Sequence, residues 1–240
     1  GDIGDGTRCC GIESRAVVCV GNPDLGKFGM TDDDIGICLS NVRLVKKQIV
    51  YIDTALLEAG AVYDDADDFV RHLLRTHTIL ARQGFKLIVK LHPAHYRTGV
   101  IERLSATDIE ACDNQEFINV LKTAAAAIAE PSSAALIPAL LGIPLFLARY
   151  GKLRDQTYGD VLTGYAFGME LFSLDDIGQE IEVIASRSAE DAKPWFERCA
   201  GPLPHIKMPE RVAAVVADLG QAGDRERAGR VVAVDVPVGV

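Results

Sequence analysis

The sequence predicts an α/β fold, with a Rossmann-like parallel sheet flanked by helices. Short apolar runs, such as residues 87–89 and 124–129, alternate with longer segments whose apolar residues have helical spacing. Glycine and proline separate these segments, as at Gly84 and at residues 142–144. The alternation extends over residues 49–148. Parallel strands joined by right-handed helical crossovers have this rhythm, and they form one sheet with helices on its faces.

The first predicted elements lie before residue 54. Residues 16–20 (AVVCV) form a short strand, which a Gly-Asn-Pro turn ends. Residues 24–41 contain several glycines and an Asp-Asp-Asp run, and we expect them to form a loop or linker. Residues 48–53 (QIVYID) have the β-branched and aromatic composition of a strand. The sheet is therefore expected to continue from this second strand.

A long helix and a buried strand follow. Between residues 67 and 83 the apolar side chains recur every three or four positions, with charged side chains opposite. Aspartates cluster where this helix begins, where negative charge favours the helix dipole, and Gly84 ends it. Residues 85–91 then form a strand that brings His92 to the edge of the sheet.

The rest of the chain continues the alternation and then becomes helical. Further strands are predicted over residues 108–111, 124–129 and 145–148. Further helices are predicted over residues 115–123, 133–141, 175–187 and 210–219. The last ten residues are valine-rich, and they follow a polar stretch at 221–230.

Composition and charge exclude several classes of protein. The 240 residues are 48% apolar and carry a formal net charge of −9, which argues against a general nucleic-acid binder but leaves room for a locally positive pocket that binds one nucleotide. No apolar run is long enough to span a membrane, and no signal peptide is visible. The six cysteines lack CxxC pairs and zinc-site spacing, which indicates reduced thiols and a cytoplasmic location. The aspartates at 32–34 lack a calcium-loop pattern, and we expect no metal site.

Three common motifs are also absent from the sequence. No GxGxxG follows a predicted strand, so the dinucleotide fingerprint is missing. Neither GxxxxGK[ST] nor GxSxG occurs, which argues against a P-loop ATPase and against a hydrolase with a nucleophile elbow.

A histidine follows the predicted strand at 85–91. In an open α/β sheet, ligands bind beyond the carboxyl ends of the strands. At that position the imidazole of His92 can donate to a phosphate oxygen and, when protonated, neutralise its charge. Pro93 restricts His92 to extended backbone and removes one donor. The alternative is a strand-end histidine that only caps a loop.

Two serines follow the predicted strand at 124–129. Ser132 and Ser133 are expected at a helix start, where unpaired N–H groups attract anions and the hydroxyls add donors. The alternative is an ordinary helix cap, because serine is common there. Since His92 and the serines follow parallel strands, we expect them at one edge of the sheet. Together they predict a phosphate site.

Further polar residues are candidates for contacts with the same ligand. Asp53 ends the strand at 48–53, and Glu130 can bond a ribose hydroxyl. Lys90 belongs to a local excess of positive charge. His95 and Arg97 lie close to His92 in the chain and within reach of a phosphate. A solvated role at the surface is the alternative for each.

These segments together resemble the C-terminal half of GT-B glycosyltransferases. The resemblance rests on QIVYIDT (48–54), GFKLIVKLHP (84–93) and AAAIAEPSSAALIPALLGIPLFL (125–147). It is closest to bacterial sialyltransferases and polysialyltransferases, which carry a His-Pro and a Ser-Ser motif. CDP-glycerol glycerophosphotransferases and capsule Kdo transferases look similar in this half.

The resemblance implies a donor-binding domain that uses a CMP-activated sugar to build a surface glycan such as a capsule polysaccharide. It implies that His92 is the catalytic residue, which contacts the CMP phosphate and assists its departure. Ser132 and Ser133 would bind the same phosphate. Protein donors take the leaving charge, so neither a metal nor a cofactor is implied, and the sugar inverts under attack by an acceptor hydroxyl. The remaining substrate-binding candidates are Pro93, Asp53, Glu130 and Lys90.

The resemblance also implies a division of the chain and a set of alternatives. We expect an N-terminal remnant and linker at 1–44, a Rossmann-like nucleotide-sugar-binding domain at 45–220, and a polar linker with a valine-rich tail at 221–240. The family's general base lies in an N-terminal domain, so a truncated enzyme, peripheral to the inner membrane face, is expected. Alternatives are glycerophosphate transfer from CDP-glycerol, a sugar-nucleotide epimerase sharing this half-fold, and a non-catalytic nucleotide-sugar-binding module.

Overall fold

The computed structural model describes residues 28–39, 47–199 and 207–223. The chain divides into two compact units, one comprising residues 24–199 and the other the two chain ends, 1–23 with 200–240. The described part of the second unit is one helix, α8 (Met208–Gly223), where a helix was predicted at 210–219. The predicted strand at 16–20 and most of the predicted tail lie outside the described residues.

The elements of the larger unit alternate as the sequence predicts. The strands are β1 (Gln48–Ile52), β2 (Lys86–Lys90), β3 (Glu110–Cys112), β4 (Ala126–Ala129), β5 (Leu145–Ala148) and β6 (Gly168–Leu171). The helices are α1 (Ala66–Arg82), α2 (Val100–Ser105), α3 (Phe117–Thr123), α4 (Leu136–Leu141), α5 (Asp160–Thr163), α6 (Ile177–Ala185) and α7 (Ala189–Cys199), and α8 is Met208–Gly223. Short 3-10 helices cover Asp32–Asp34, Pro93–Arg97, Ser133–Ala135 and Gly151–Leu153.

The six strands form one parallel sheet in the order β3-β2-β1-β4-β5-β6. Val50 at the middle of β1 lies beside Ile88 on one side and Ala127 on the other. The chain leaves β1 towards β2 and later returns to β4 on the opposite side, so the strand order reverses between β1 and β4. Such a reversal opens a crevice at the carboxyl ends of the strands. The predicted α/β, Rossmann-like fold is confirmed.

Helices cover both faces of the sheet. The connections from β1 to β2 and from β4 to β5 run in opposite directions across the sheet, so right-handed crossovers place α1 and α4 on opposite faces. Strands β4 and β5 are buried along their whole length. This two-sided burial explains why they appear in the sequence as continuous apolar runs. Within the described residues, no helix is both long and apolar enough to cross a bilayer.

Helix α1 has start and stop signals in the sequence. The carboxylate of Asp65 accepts a hydrogen bond from the N–H of Asp68 at 2.8 Å, which caps the first turn. Phe69, Leu73 and Leu80 lie on one face and are fully buried. The helix therefore packs its apolar face on the sheet and leaves its acidic N-terminal turn near the carboxyl edge.

One strand and three helices were not predicted. Strand β6 lies at the sheet edge, and of its four residues only Leu171 is buried. Its sequence begins with glycine and includes Glu170, which pairs with Arg149 at 2.7 Å, so it lacks the apolar run of the central strands. Helices α2, α5 and α7 are short or strongly charged. They were not predicted because their sequences lack a long, regular apolar pattern.

The segment before β1 is attached to the larger unit rather than being only a linker. Its backbone N–H groups at Gly36 and Cys38 donate to the carbonyls of Leu140 and Leu141 at 2.7 and 2.8 Å. These carbonyls belong to the last turn of α4, where no intrahelical donor remains for them. Residues 28–39 consist of turns and short 3-10 segments, as expected of a loop, and the structure adds that this loop is docked on α4.

Candidate functional site

The carboxyl ends of the three central strands carry polar residues at the point where the strand order reverses. Asp53 follows β1 directly, His92 follows β2 after one residue, and Glu130 follows β4 directly. The backbone ladder continues to these residues, because the N–H of Asp53 donates to Lys90 and the N–H of Glu130 donates to Ile52. We call this edge, together with Ser132 and Ser133 beyond β4, the switch-point site.

His92 is exposed at this edge and uses its two ring nitrogens differently. Nδ1 accepts a hydrogen bond from the N–H of Ala94 at 3.2 Å and caps the 3-10 helix Pro93–Arg97. Because Nδ1 accepts, the neutral ring carries its proton on Nε2. The loop-capping alternative is thus a fact of the structure, and it leaves Nε2–H as a donor for a ligand.

Ser132 and Ser133 form the start of the segment that leads into α4. The Ser132 Oγ accepts from the N–H of Ala134 at 3.0 Å, so the predicted capping role is present here as well. A hydroxyl that accepts one hydrogen bond still has its own proton to donate. Ser133 is exposed. The serines follow β4 and His92 follows β2, with only β1 between the two strands.

Asp53 is buried and is bonded to the backbone around it. Its Oδ1 accepts from the N–H of Ala55 at 3.1 Å, and its Oδ2 accepts from the N–H of His92 at 2.8 Å. The same Oδ2 lies 2.7 Å from Nε2 of His95, at an angle outside hydrogen-bond geometry, so we describe this contact as an ion pair. Asp53 therefore connects the end of β1 to the turn that carries His92.

His95 does not reach towards a phosphate, contrary to expectation. Its side chain is fully buried between two carboxyl groups, with Nε2 2.7 Å from Asp53 and Nδ1 2.7 Å from Glu58. Its ring stacks on Phe69 of α1 at 5.0 Å between centroids. Burial lowers the pKa of His95, but Asp53, Glu58 and Glu130 outweigh this effect and raise the pKa above its ordinary value. The side chain of Arg97, the other candidate of this turn, lies outside the described part of the structure.

Glu130 is fully buried and both its oxygens accept hydrogen bonds. Oε1 accepts from the hydroxyls of Tyr51 and Tyr63, each at 2.7 Å. Oε2 accepts from the N–H and the hydroxyl of Thr54 at 3.2 and 3.3 Å. Burial and the nearby Asp53 raise the pKa of Glu130 to about 7, although these donors oppose the shift. A contact with a ribose hydroxyl, as predicted, requires displacement of one of the donors.

Lys90, the last residue of β2, points into the protein. Its ammonium donates to the carbonyl of Leu91 at 2.7 Å and lies 5.7 Å from the centre of the Phe117 ring. Burial lowers its pKa, against the opposing effect of Cys112 and Asp53. The Lys90 ammonium therefore lies inside the protein, beneath the site, and is not presented at the surface. Among the described residues no group of His, Cys, Asp and Glu side chains has the arrangement of a metal site.

A groove of about 740 Å³ lies beside the switch-point site, between α1 and the loops after β5 and β6. His72 lines this groove, stacks on Tyr150 at 5.6 Å, and has Nε2 3.2 Å from the hydroxyl of Tyr51. A hydrogen-bonded path therefore runs from the groove through Tyr51 to Glu130. Burial is the main cause that lowers the pKa of His72 to about 4, so its ring is neutral.

Sequence reasoning missed several residues that build this network. Tyr51 lies two residues before Asp53, and side chains at that spacing share a face of the sheet. Of these residues, only Tyr51 could therefore have been predicted at the site from the sequence. Glu58, Tyr63 and His72 come from a loop and a helix, and their partners lie far away in the chain, as for Tyr63 and Glu130, which are 67 residues apart. No local pattern indicates such pairs.

Comparisons with known proteins bear on the fold alone. No family model matches this chain, and no curated protein matches it. A solved structure of UDP-GlcNAc 2-epimerase from Methanocaldococcus jannaschii, in complex with UDP-GlcNAc and UDP, is similar with a TM-score of 0.50 and 13% identity. The match covers 87% of this chain and 56% of that one, so this chain spans little more than half the length of its structural neighbour.

Two further structures have lower scores. A second structure of the Methanocaldococcus jannaschii enzyme has 11% identity and a TM-score of 0.45 over 78% of this chain and 50% of that one. A putative UDP-N-acetylglucosamine 2-epimerase from Listeria monocytogenes has 16% identity and a TM-score of 0.36 over 83% and 50%. The neighbours give no support to a closer relationship with sialyltransferases. The fold of this chain is GT-B-like, an α/β sheet of the Rossmann kind.

Proposed function

We propose that this chain is the donor-binding half of a glycosyltransferase and that the switch-point site binds the phosphate of a nucleotide-sugar. The observation that carries the proposal is the placement of the His92 turn and the Ser132–Ser133 turn on the two strands that flank β1. Both turns follow parallel strands, so their donors lie at the same edge, where open α/β sheets bind ligands.

The chemistry requires the donors that these residues supply. The hydroxyls of Ser132 and Ser133 donate to phosphate oxygens of the bound donor. His92 donates from Nε2–H, while its Nδ1 keeps the hydrogen bond from Ala94, and stabilises the charge that develops on the phosphate as the bond to the sugar breaks. An acceptor hydroxyl attacks the sugar carbon from the opposite face, gives its proton to a base and displaces CMP, so the configuration at that carbon inverts. We assign no general base among the described residues.

The donor that we propose is a CMP-activated sugar, transferred in the cytoplasm to the acceptor of a surface glycan. The likeness of the His-Pro and Ser-Ser segments to CMP-sugar-dependent enzymes supports it. The ligands UDP-GlcNAc and UDP belong to the structural neighbour, and they make a uridine nucleotide the competing choice. CDP-glycerol is the choice that would indicate glycerophosphate transfer.

Titration calorimetry with CMP, CDP, UDP, UDP-GlcNAc and ADP tests both whether the switch-point site binds nucleotides and which nucleobase it prefers. We expect CMP or CDP to bind most tightly, and His92→Ala to weaken that binding about tenfold or more, because a charge-assisted hydrogen bond contributes about 1.5–3 kcal/mol. Joint replacement of Ser132 and Ser133 by alanine should also weaken it. Ser105→Ala, at an exposed serine of α2, is the control and should leave the affinity unchanged.

The outcomes separate the alternatives. Equal, weak binding of all five nucleotides would remove the support for a nucleotide site. Preference for UDP would retain the nucleotide site and reject cytidine. Tight binding of a CMP-sugar without its consumption in the presence of acceptors would favour a non-catalytic binding module.

A further inference from the structure

A single carboxylate oxygen holds two parts of the His-Pro turn. Oδ2 of Asp53 accepts the N–H of His92 at 2.8 Å and lies 2.7 Å from Nε2 of His95. Between these two residues the chain turns through Pro93, which has no N–H to contribute. Asp53 itself is fixed at the end of β1 by the hydrogen bond from its N–H to Lys90. The carboxyl group is therefore a rigid anchor for the turn.

The second half of the arrangement is Glu58, which contacts His95 from the other side. The loop after β1 brings its Oε1 to 2.7 Å from Nδ1 of His95, and only 26% of the Glu58 side chain is exposed. The two carboxyl groups come from the segment after β1, whereas His95 comes from the segment after β2. The ring thus joins the two segments, and Phe69 of α1 covers its face.

Burial of an imidazole in this way is informative because an unpaired buried charge is strongly unfavourable. The titratable groups around the ring are Asp53 and Glu58 in contact and Glu130 at longer range, and all three favour the protonated form. The described neighbours include no cation in contact with His95. Both ring nitrogens therefore face carboxyl oxygens, which favours the protonated ring and links the two carboxyl groups through it.

We propose that Asp53, His95 and Glu58 form a positioning unit that fixes the backbone of the His92 turn and thereby the direction of the His92 Nε2–H. We assign none of the three a contact with the ligand, because their polar atoms are engaged within the unit and the turn. The role as a positioning unit for a phosphate donor rests on the proposed function of His92, whereas the fixing of the turn does not.

The proposal requires that Asp53 affect ligand binding only through His92. A double-mutant cycle measures this coupling, because residues that act through one another are not additive. With CMP as the probe, Asp53→Asn should raise the dissociation constant about tenfold in the otherwise unchanged chain, as expected for a lost hydrogen bond to a charged group. In the His92→Ala background the same change should raise it less than twofold.

Asp64→Asn is the matched control, since Asp64 is an exposed aspartate of the same loop that pairs only with Lys152 among ion pairs of the described residues. It should leave CMP binding unchanged. An equal effect of Asp53→Asn in both backgrounds would overturn the proposal, because Asp53 would then contribute independently of His92.

A second measurement works without any ligand. In Asp53→Ala, amide hydrogen exchange at His92 should accelerate at least tenfold, while exchange at Val50 in the buried strand β1 reports whether the fold is kept. The ring ¹⁵N shifts of His92 should change from a single tautomer, with Nδ1 as acceptor, to a mixture. If CMP fails to bind but the exchange accelerates, the proposed function fails and the positioning unit stands. Unchanged exchange and ring shifts at His92 would overturn the unit itself.

Discussion

At the scale of single residues, the most consequential group is the buried carboxyl of Glu130. Four hydrogen bonds from three residues surround it, yet burial and the proximity of Asp53 raise its pKa from 4.5 to about 7. His72, two hydrogen bonds away, has the opposite shift, from 6.5 to about 4. The network therefore favours the neutral form of both groups: Glu130 is neutral with its proton, and His72 is neutral without one.

The two shifts have opposite effects on stability, which allows a test by mutation. Between pH 4.5 and about 7 the folded state binds more protons than the unfolded state at Glu130, so the free energy of unfolding falls as pH rises. At His72 the folded state binds fewer protons between pH 4 and 6.5, so stability falls as pH falls. Each effect amounts to roughly 3 kcal/mol over its window, at 1.36 kcal/mol per unit.

Removal of one group should expose the effect of the other. We expect Glu130→Gln to show a free energy of unfolding that increases with pH between 4.5 and 6.5 more steeply than that of the unchanged chain. Urea unfolding at a series of pH values gives the slopes, and only slopes are compared, because glutamine also changes the hydrogen bonds. Glu182→Gln, at an exposed glutamate of α6, is the control. Parallel curves for Glu130→Gln and the unchanged chain would contradict the assignment.

At the scale of elements, the end of α4 shows how a single residue permits two segments to meet. Gly142 adopts φ +83° after the last turn of α4, a left-handed conformation that glycine adopts without strain. A Cβ at this position would lie 2.9 Å from the backbone nitrogen of Leu39. The segment 28–39 therefore docks on α4 through a contact that only glycine allows.

Gly142→Ala should therefore destabilise the fold more than an alanine at a glycine with the same backbone but open space. Gly84 provides that comparison, with φ +79° and no atom within 4 Å of the place that a Cβ would occupy. We expect Gly84→Ala to lower the free energy of unfolding by about 1 kcal/mol and Gly142→Ala by about 2–3 kcal/mol, because strain and a backbone clash add. Chemical denaturation measures both. Equal losses would show that the segment 28–39 moves aside without cost.

At the scale of the whole molecule, the sequence predicted the sheet and the edge that carries the site. It did not predict the network of hydrogen bonds and ion pairs inside that edge. Apolar runs of four or five residues identified the buried strands, because a strand covered on both faces must be apolar throughout. Parallel topology then placed His92 and Ser132 at one edge. Strand β6 was missed because an edge strand buries one residue in four. The burial of His95 could not be predicted, since it depends on Glu58 and Phe69 from separate segments.

One tyrosine hydroxyl also links the ends of two strands at the carboxyl edge of the sheet. The hydroxyl of Tyr158 lies 2.7 Å from the carbonyl of Ala129 and 2.9 Å from that of Ala148, at the ends of β4 and β5. Tyr158→Phe should lower the free energy of unfolding by about 1–3 kcal/mol, since it removes the hydroxyl donor that the two strand-end carbonyls share. Tyr165→Phe, which loses one bond of 3.2 Å to Ile143, is the matched control and should cost less. A smaller loss for Tyr158→Phe, in urea unfolding, would contradict this role.

The central position of β1 has a consequence for how this protein can vary. Tyr51 and Asp53 reach their partners only because β1 keeps its present alignment with β2 and β4. Alternate residues of a strand face opposite sides, so an inserted or deleted residue in β1 would turn Tyr51 away from Glu130 and withdraw Asp53 from the His-Pro turn together. Insertions and deletions are therefore tolerable in the outer loops. The number of residues between Tyr51 and Asp53 must stay the same, because every polar contact at this edge of the sheet depends on it.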